Sequence, residues 1–355
     1  MLEKLPAESR WVTDEATEWP VRQVTSAPCI NHHPFFLIPA YDSTQRYLYF
    51  VSYRTGTPQL YAEDREENCI LRLTDVPNLD EWSVHPYERA LYFVADGCAM
   101  RAWVDGRVET LLTPHETLRR FGGVFGEGTT ALTGDGSRWT VRVKREKDFG
   151  ILLWEEKTQD WSLVYTGPMV AHLQFCPDDN DLLFFAGPLT DRVWTLNLRT
   201  GKSKRVFTRD AAAKQWITHE SWIPGRRELS LVDWPHGIIG VNADTGETRR
   251  IADFNAWHAI ANQQGTLMAA DTNFPDTGIW LFDPRENGGP RQLLCCPQAS
   301  CMGDHWAGPF PYDNGPIKVN APQHTHPHPR FSPDGRRLVY TSDKSGYAQI
   351  FEIEL

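Results

Sequence analysis

Phe331-Ser-Pro-Asp-Gly-Arg-Arg-Leu-Val-Tyr-Thr-Ser-Asp-Lys-Ser-Gly-Tyr-Ala-Gln-Ile-Phe351 reads as short strands joined by tight turns. Pro333-Asp334-Gly335 is a turn signal with a mechanism, since glycine accepts positive φ. Leu338-Val339-Tyr340-Thr341 is a β-rich run, and Lys344-Ser345-Gly346 turns the chain into Ala348-Gln349-Ile350-Phe351. The same rhythm runs through Tyr47-Leu48-Tyr49-Phe50-Val51, Arg54-Thr55-Gly56 and Gln59-Leu60-Tyr61. Further copies start near Trp82, Phe121, His172, His219 and His258. Seven units spaced roughly 40 to 50 residues apart match the four-stranded blades of a propeller. Long helical patterns are absent, and a β-sandwich or two stacked β domains accounts less well for seven similar units. The expected fold class is therefore all-β, a seven-bladed β-propeller, with residues 1–355 forming one domain.

The last unit runs out of sequence at Leu355 after three strands. A propeller must close or leave an exposed edge strand. Trp19-Pro20-Val21-Arg22-Gln23-Val24-Thr25 is expected to supply the outermost strand of that last blade. A long insertion, about residues 296–322, separates the sixth and seventh units and is rich in Pro, Gly, Asp and Trp. Loops of that length in compact folds are usually functional or disordered.

The formal net charge of −10 argues against broad electrostatic binding to nucleic acid or anionic membranes. An anionic substrate would need a locally positive site, from a metal or a few placed arginines. The seven cysteines are odd in number and form no C-x-x-C pair, which suits free thiols in a reducing cytoplasm. The opening Met1-Leu-Glu-Lys-Leu-Pro-Ala-Glu-Ser-Arg10 has no apolar core segment, so no signal peptide is expected, and the expected location is cytoplasmic.

The insertion leads into Gln323-His324-Thr325-His326-Pro327-His328-Pro329. Alternate residues of an extended segment face the same way, so His326 and His328 share a face and His324 is a candidate for it. Imidazole is the commonest ligand for a divalent transition ion. An H-x-H pair alone is a weak signal, equally met in polar loops whose histidines cap turns. It gains weight because His219 and His258 also lie near the start of their units' first strands, with His172 in unit four and His32-His33 before the first unit. First strands line the channel of a propeller, so histidines at repeat-equivalent positions are expected to converge on its axis.

On these segments the sequence resembles the oligogalacturonate lyases, seven-bladed propellers of pectin breakdown. The likeness is carried by HLQFCPDDNDLLFFAGP from His172, THESWIPG from Thr218, HAIANQQGTLMAAD from His258 and QHTHPHPRFSPDGRRLVYTSD from Gln323. It extends to NHHPFFLIPAYDSTQRYLYFVS from Asn31 and is poorest between Phe121 and Thr166. The resemblance implies Mn²⁺ held by His258, Gln323, His326 and His328, with His219 as catalytic base and Arg192 as catalytic arginine. It makes a short uronide oligosaccharide the partner, with His32, His33 and His172 as candidate substrate contacts. One departure is that the family's H-E-G-P segment is Phe185-Ala186-Gly187-Pro188 here, which leaves the preferred uronide open.

The implied chemistry suits these residue types. β-Elimination removes a weakly acidic proton alpha to a carboxylate, and neutral ligands leave a bound ion its full charge for that carboxylate. A neutral histidine has a pKa suited to the base, and arginine to a bidentate carboxylate contact. Two rival readings are a non-catalytic binding platform of the TolB-like propeller type, which the PDG turns also resemble, and a glycosidase, which would need two carboxylates flanking the bond.

Overall fold

The computed structural model describes residues 3–126, 129–302 and 325–355. Its strands form seven antiparallel sheets, each one blade of a β-propeller. Blades two, four, five and six each have four strands. In blade five these are Trp216–Ile223, Glu228–Trp234, Gly237–Asn242 and Thr248–Ala252, from the channel outward. Blade six runs from Ala256–Ala261 through Met268–Thr272 and Ile279–Phe282 to Arg291–Cys295.

The strand sequences explain why the blades stack in a ring. Ala90–Ala95 is apolar at every position and buried throughout, because both of its faces are covered. Leu91 and Phe93 pack towards blade one, with Tyr49 and Leu60. Tyr92 and Val94 point the other way, onto Trp139 and Val141 of blade three. The same division recurs between every pair of neighbours, ending with Leu48 and Phe50 of blade one against Val339 and Ile350 of blade seven. The apolar core is thus seven wedges between blades rather than one centre.

The ring closes through the N-terminal segment, as expected, but by more strands than anticipated. Pro20–Gln23 pairs with Gln349–Glu354 as the fourth strand of blade seven, with Arg22 opposite Glu352. The outermost strand is a fifth, Arg10–Thr13, folded back on Pro20–Gln23. The chain before it, Glu3–Pro6, pairs with Cys69–Arg72 at the outer edge of blade one. A short amphipathic strand pattern does not by itself reveal that it will bend back twice, so the sequence reading stopped at one strand.

Blade three also differs in detail from the repeat. An eight-residue helix, Pro114–Phe121, precedes it, capped by Thr113 and Glu116, whose side chains each bond the other's backbone N–H. Its channel side is split between Gly123–Phe125 and Ala131–Leu132. Most of the insertion, with Gln323 and His324, lies outside the described residues.

Candidate metal centre and active site

The innermost strands of blades four, five, six and seven all carry a bulge at one level of the channel. In blade five Thr218 pairs with Val232 and Ser221 with Ser230, so His219 and Glu220 together face Leu231. In blade four the doubled pair is His172-Leu173, opposite Phe185. In blade six it is Trp257-His258, opposite Asp271. In blade seven Pro327 accepts from Thr341 N and Arg330 pairs with Val339, so His328-Pro329 are doubled. A bulge re-aims side chains and leaves a backbone N–H without its ladder partner. His172, His219 and His328 occupy the first bulge position with φ of 51°, 49° and 48°. Left-handed backbone in a residue other than glycine is uncommon, and it clusters at functional sites.

The expected repeat equivalence therefore needs one correction. His172, His219 and His328 are equivalent, but Trp257 holds that place in blade six and His258 comes one residue later. The bulge brings both Trp257 and His258 to the axis all the same. The His219 ring lies 4.6 Å from Trp257 and 4.3 Å from His258, centroid to centroid.

Donor atoms of His258, His326 and His328 lie within 4.8 Å of one another. Imidazole nitrogens bind a first-row ion at about 2.0–2.1 Å, so two sharing an ion are up to about 4.2 Å apart, and small side-chain movements close the difference. The rings of His326 and His328 lie parallel, 5.2 Å apart, as alternation along an extended segment requires. Behind them stands Asp271, which the sequence reading missed. Its carboxylate accepts from His258 N at 2.7 Å, takes His258 Nδ1 at 2.8 Å and accepts from His328 N at 3.3 Å. One acid so serves the backbone of two bulges, and it holds His258 with Nε2 free for an ion, the carboxylate–histidine arrangement common behind metal ligands. Burial pushes the Asp271 carboxyl up to about 7. Burial also holds His258, His328 and His219 well below the ordinary histidine value, so their rings are neutral at neutral pH.

A second set adjoins the first. Arg192 leaves the tight turn Gly187–Asp191, where Gly187 is required because a Cβ there would lie 2.4 Å from the Asp191 carbonyl oxygen. Its Nε donates to Glu220 Oε1 and its Nη2 lies 3.2 Å from His172 Nδ1. His172 Nδ1 is also 3.1 Å from Glu220 Oε2, and the His172 ring stacks against His219 at 6.3 Å. Glu220 is wholly buried. Burial pushes its carboxyl up, but the Arg192 charge and the His172 contact outweigh that and hold it at about 2. Glu220 therefore anchors Arg192 and His172. Although adjacent to His219 in sequence, its carboxylate turns to these two side chains. Phe35 and Phe36 floor the cluster, with Phe36 5.9 Å from His219 and 5.1 Å from His258.

His258, His326, His328, His219, Arg192 and His172 thus meet at one level of the channel. Gln323 lies outside the described residues. Both ring nitrogens of His33 are engaged within the protein: its Nδ1 is 2.6 Å from Thr341 Oγ1 and its Nε2 is 2.7 Å from the His328 carbonyl oxygen. Burial drops its pKa to about 3, so it is a neutral brace for the His328 backbone. His32 sits on blade one opposite Val51. The departing Phe185-Ala186 pair is buried, with Phe185 packed 4.5 Å from Tyr165.

No family model matches the chain. An oligogalacturonate lyase of Dickeya dadantii is 28% identical over 188 residues, 49% of this chain and 46% of that protein. An oligogalacturonide lyase of Pectobacterium atrosepticum is 21% identical across 98% of this chain and 96% of its own length. The structure superposes with TM-score 0.83 on an oligogalacturonate lyase solved in complex with manganese, at 20% identity over 99% of this chain and 97% of that one. Over nearly its whole length the chain is similar to oligogalacturonate lyases. A Vibrio parahaemolyticus oligogalacturonate lyase gives a TM-score of 0.82 at 17% identity, over 99% of this chain and 98% of that chain. Agreement with these lyases over nearly the whole chain rules in the seven-bladed propeller and leaves the sandwich alternatives aside.

Proposed function

We propose that this chain is a metal-dependent lyase that cleaves short uronic-acid oligosaccharides, with oligogalacturonate as the substrate, by β-elimination. One observation carries the reading: three histidines spaced to hold an ion stand beside a fourth, His219, whose ring is 4.3 Å from His258. His219 Nδ1 is buried and has no hydrogen-bond partner among the described residues. The relatives named above are lyases of this substrate class, and one of them was solved with manganese.

His258, His326 and His328, with Gln323, would hold Mn²⁺ through four neutral donors. A bound divalent ion supplies a positive charge that neutralises the substrate carboxylate and acidifies the C5 proton. His219, kept neutral by burial, takes that proton. The C5–H electron pair becomes the C4=C5 bond as the C4–O bond to the departing sugar breaks. Arg192, held in place by Glu220, faces the carboxylate and stabilises the charge that builds there. His172, braced by the same carboxylate, lines the substrate side. A cytoplasmic location and a small anionic oligosaccharide partner belong to the same proposal.

The test is turnover of a panel of uronide oligomers by Mn²⁺-loaded protein, followed by the absorbance of a 4,5-unsaturated product. His219→Ala is expected to lower kcat about 10²–10⁴-fold while Mn²⁺ binding is kept. Arg192→Ala is expected to lower kcat and raise KM. Tight metal binding with no turnover of any uronide would favour the binding-platform reading instead.

A further inference from the structure

The innermost strands of the blades all run the same way along the channel, since each blade repeats one antiparallel order. The histidine cluster lies at the beginnings of those strands. Their ends, including Val84, Cys176 and Ile260, surround a separate cavity of about 510 Å³ at the opposite mouth. Phe36 is shared between the two: its ring lies beneath the histidines, and its carbonyl oxygen accepts from Arg330 Nη1 at 3.1 Å.

Arg330 lines the far cavity and is the unusual group in it. Its guanidinium makes one hydrogen bond among the described residues, the one to Phe36, and no carboxylate there lies within ion-pair distance of it. Asp334 also lines the cavity, but its Oδ1 accepts from Ser332 Oγ and Arg336 N in its own turn. A guanidinium has five N–H donors in a fork that matches a carboxylate, and that of Arg330 is left largely unmet among the described residues. Other lining groups alternate between apolar (Leu37, Leu173, Trp222) and polar (Gln45, Gln263).

We propose that this opposite mouth is a second binding site, for a small carboxylated sugar, with Arg330 on the carboxylate. Cavities of about 300–1,000 Å³ take ligands of mono- to disaccharide size. The apolar walls give the sugar ring a face to lie on, and the guanidinium selects the acid over its neutral counterpart. The site depends on neither the metal nor His219.

The full-length chain, stripped of metal with EDTA, is titrated calorimetrically with D-galacturonate, D-galactose and inorganic phosphate. Galacturonate is expected to bind, galactose at least tenfold more weakly. Arg330→Gln is expected to weaken galacturonate at least tenfold, and Arg330→Lys, which keeps the charge but loses the fork, by less. If the glutamine variant does not fold, the lysine variant decides, since it must still weaken binding. Equal affinity in wild type and either folded variant, or no galacturonate binding, overturns the site. Phosphate binding as tightly as galacturonate overturns the sugar assignment. Because metal is absent throughout, failure here leaves the proposed lyase chemistry untouched.

Discussion

A bulge strands a backbone N–H, and Asp271 answers two of them, at His258 and His328, while it also holds the His258 ring. Asp271→Asn keeps the shape but removes the charge and the certainty of an acceptor at Nδ1. Mn²⁺ affinity is expected to fall about 10–100-fold, the usual effect of losing such a partner, and titration followed by Mn²⁺ electron paramagnetic resonance measures it. Unchanged affinity would remove Asp271 from the metal's support. Glu220 acts at the same scale on the other half of the site. Its folded pKa, about 2, lies below the usual glutamate value of about 4.3, so its stabilising share is complete above that value. It is lost as pH falls from about 4.3 towards 2, and the interval corresponds to about 3 kcal/mol. Glu220→Gln should therefore be less stable at pH 7, with a smaller loss on acidification in that window. Chemical denaturation at pH 7, 4 and 3 checks it; parallel curves for the two proteins would refute the assignment.

At the scale of the element, the bulged inner strand explains what could and could not be read from sequence. Blade number, the placing of histidines at the channel and the alternation of His326 with His328 follow from strand rhythm, which the chain displays openly. The bulge does not, because one extra residue leaves a period-two pattern locally ambiguous. Hence Trp257 and His258, which a strict period of two would put on opposite faces, both contact the His219 ring. Asp271 stayed hidden for the same reason, since only the pairing register sets it opposite the bulge. Arg192 and Glu220 are 28 residues apart, and the contact belongs to the packing of two blades. The left-handed backbone at His172 offers a direct check on the bulge. Glycine in a strand normally costs about 0.5–1 kcal/mol relative to alanine, while the left-handed conformation costs alanine about 1–2 kcal/mol. The second effect is larger, so His172→Gly should be more stable than His172→Ala by about 0.5–1 kcal/mol. Both variants lose the contacts with Glu220 and Arg192, which cancel. Thermal melts giving the ordinary order, with alanine the more stable, would mean the bulge relaxes when the histidine is removed.

For the whole molecule the question is how seven wedges become one ring. Each blade covers its neighbours' apolar faces, so a ring that fails to close exposes two faces at once. The N-terminal segment prevents this. Val21 and Val24 are each 1% exposed, Val21 within the wedge between blades six and seven and Val24 within that between seven and one. Val24 N donates to Ile350 O at 2.7 Å, and Thr25 Oγ1 accepts from Ile350 N at 3.0 Å. Arg22 bonds Glu63 of blade one and lies 3.7 Å from Glu352 of blade seven, tying both sides of the seam with one guanidinium. Deleting residues 1–25 would bare the edge of Gln349–Glu354 and leave Glu63, 3% exposed, without Arg22. Removing one partner of a buried ion pair costs about 3–5 kcal/mol, and an open strand edge invites association. That loss alone approaches the lower range of a domain's total stability, about 5–15 kcal/mol. Deleting residues 1–9 is a milder change. It removes Glu3–Pro6 from blade one and Glu8, which accepts from Ser26 N and Ala27 N and pairs with Arg54, but it leaves the seam. The shorter deletion is expected to melt cooperatively at a lower temperature. The longer one should give no cooperative transition and aggregate on size exclusion. If both deletions melt alike, the N-terminal strands decorate the ring rather than close it.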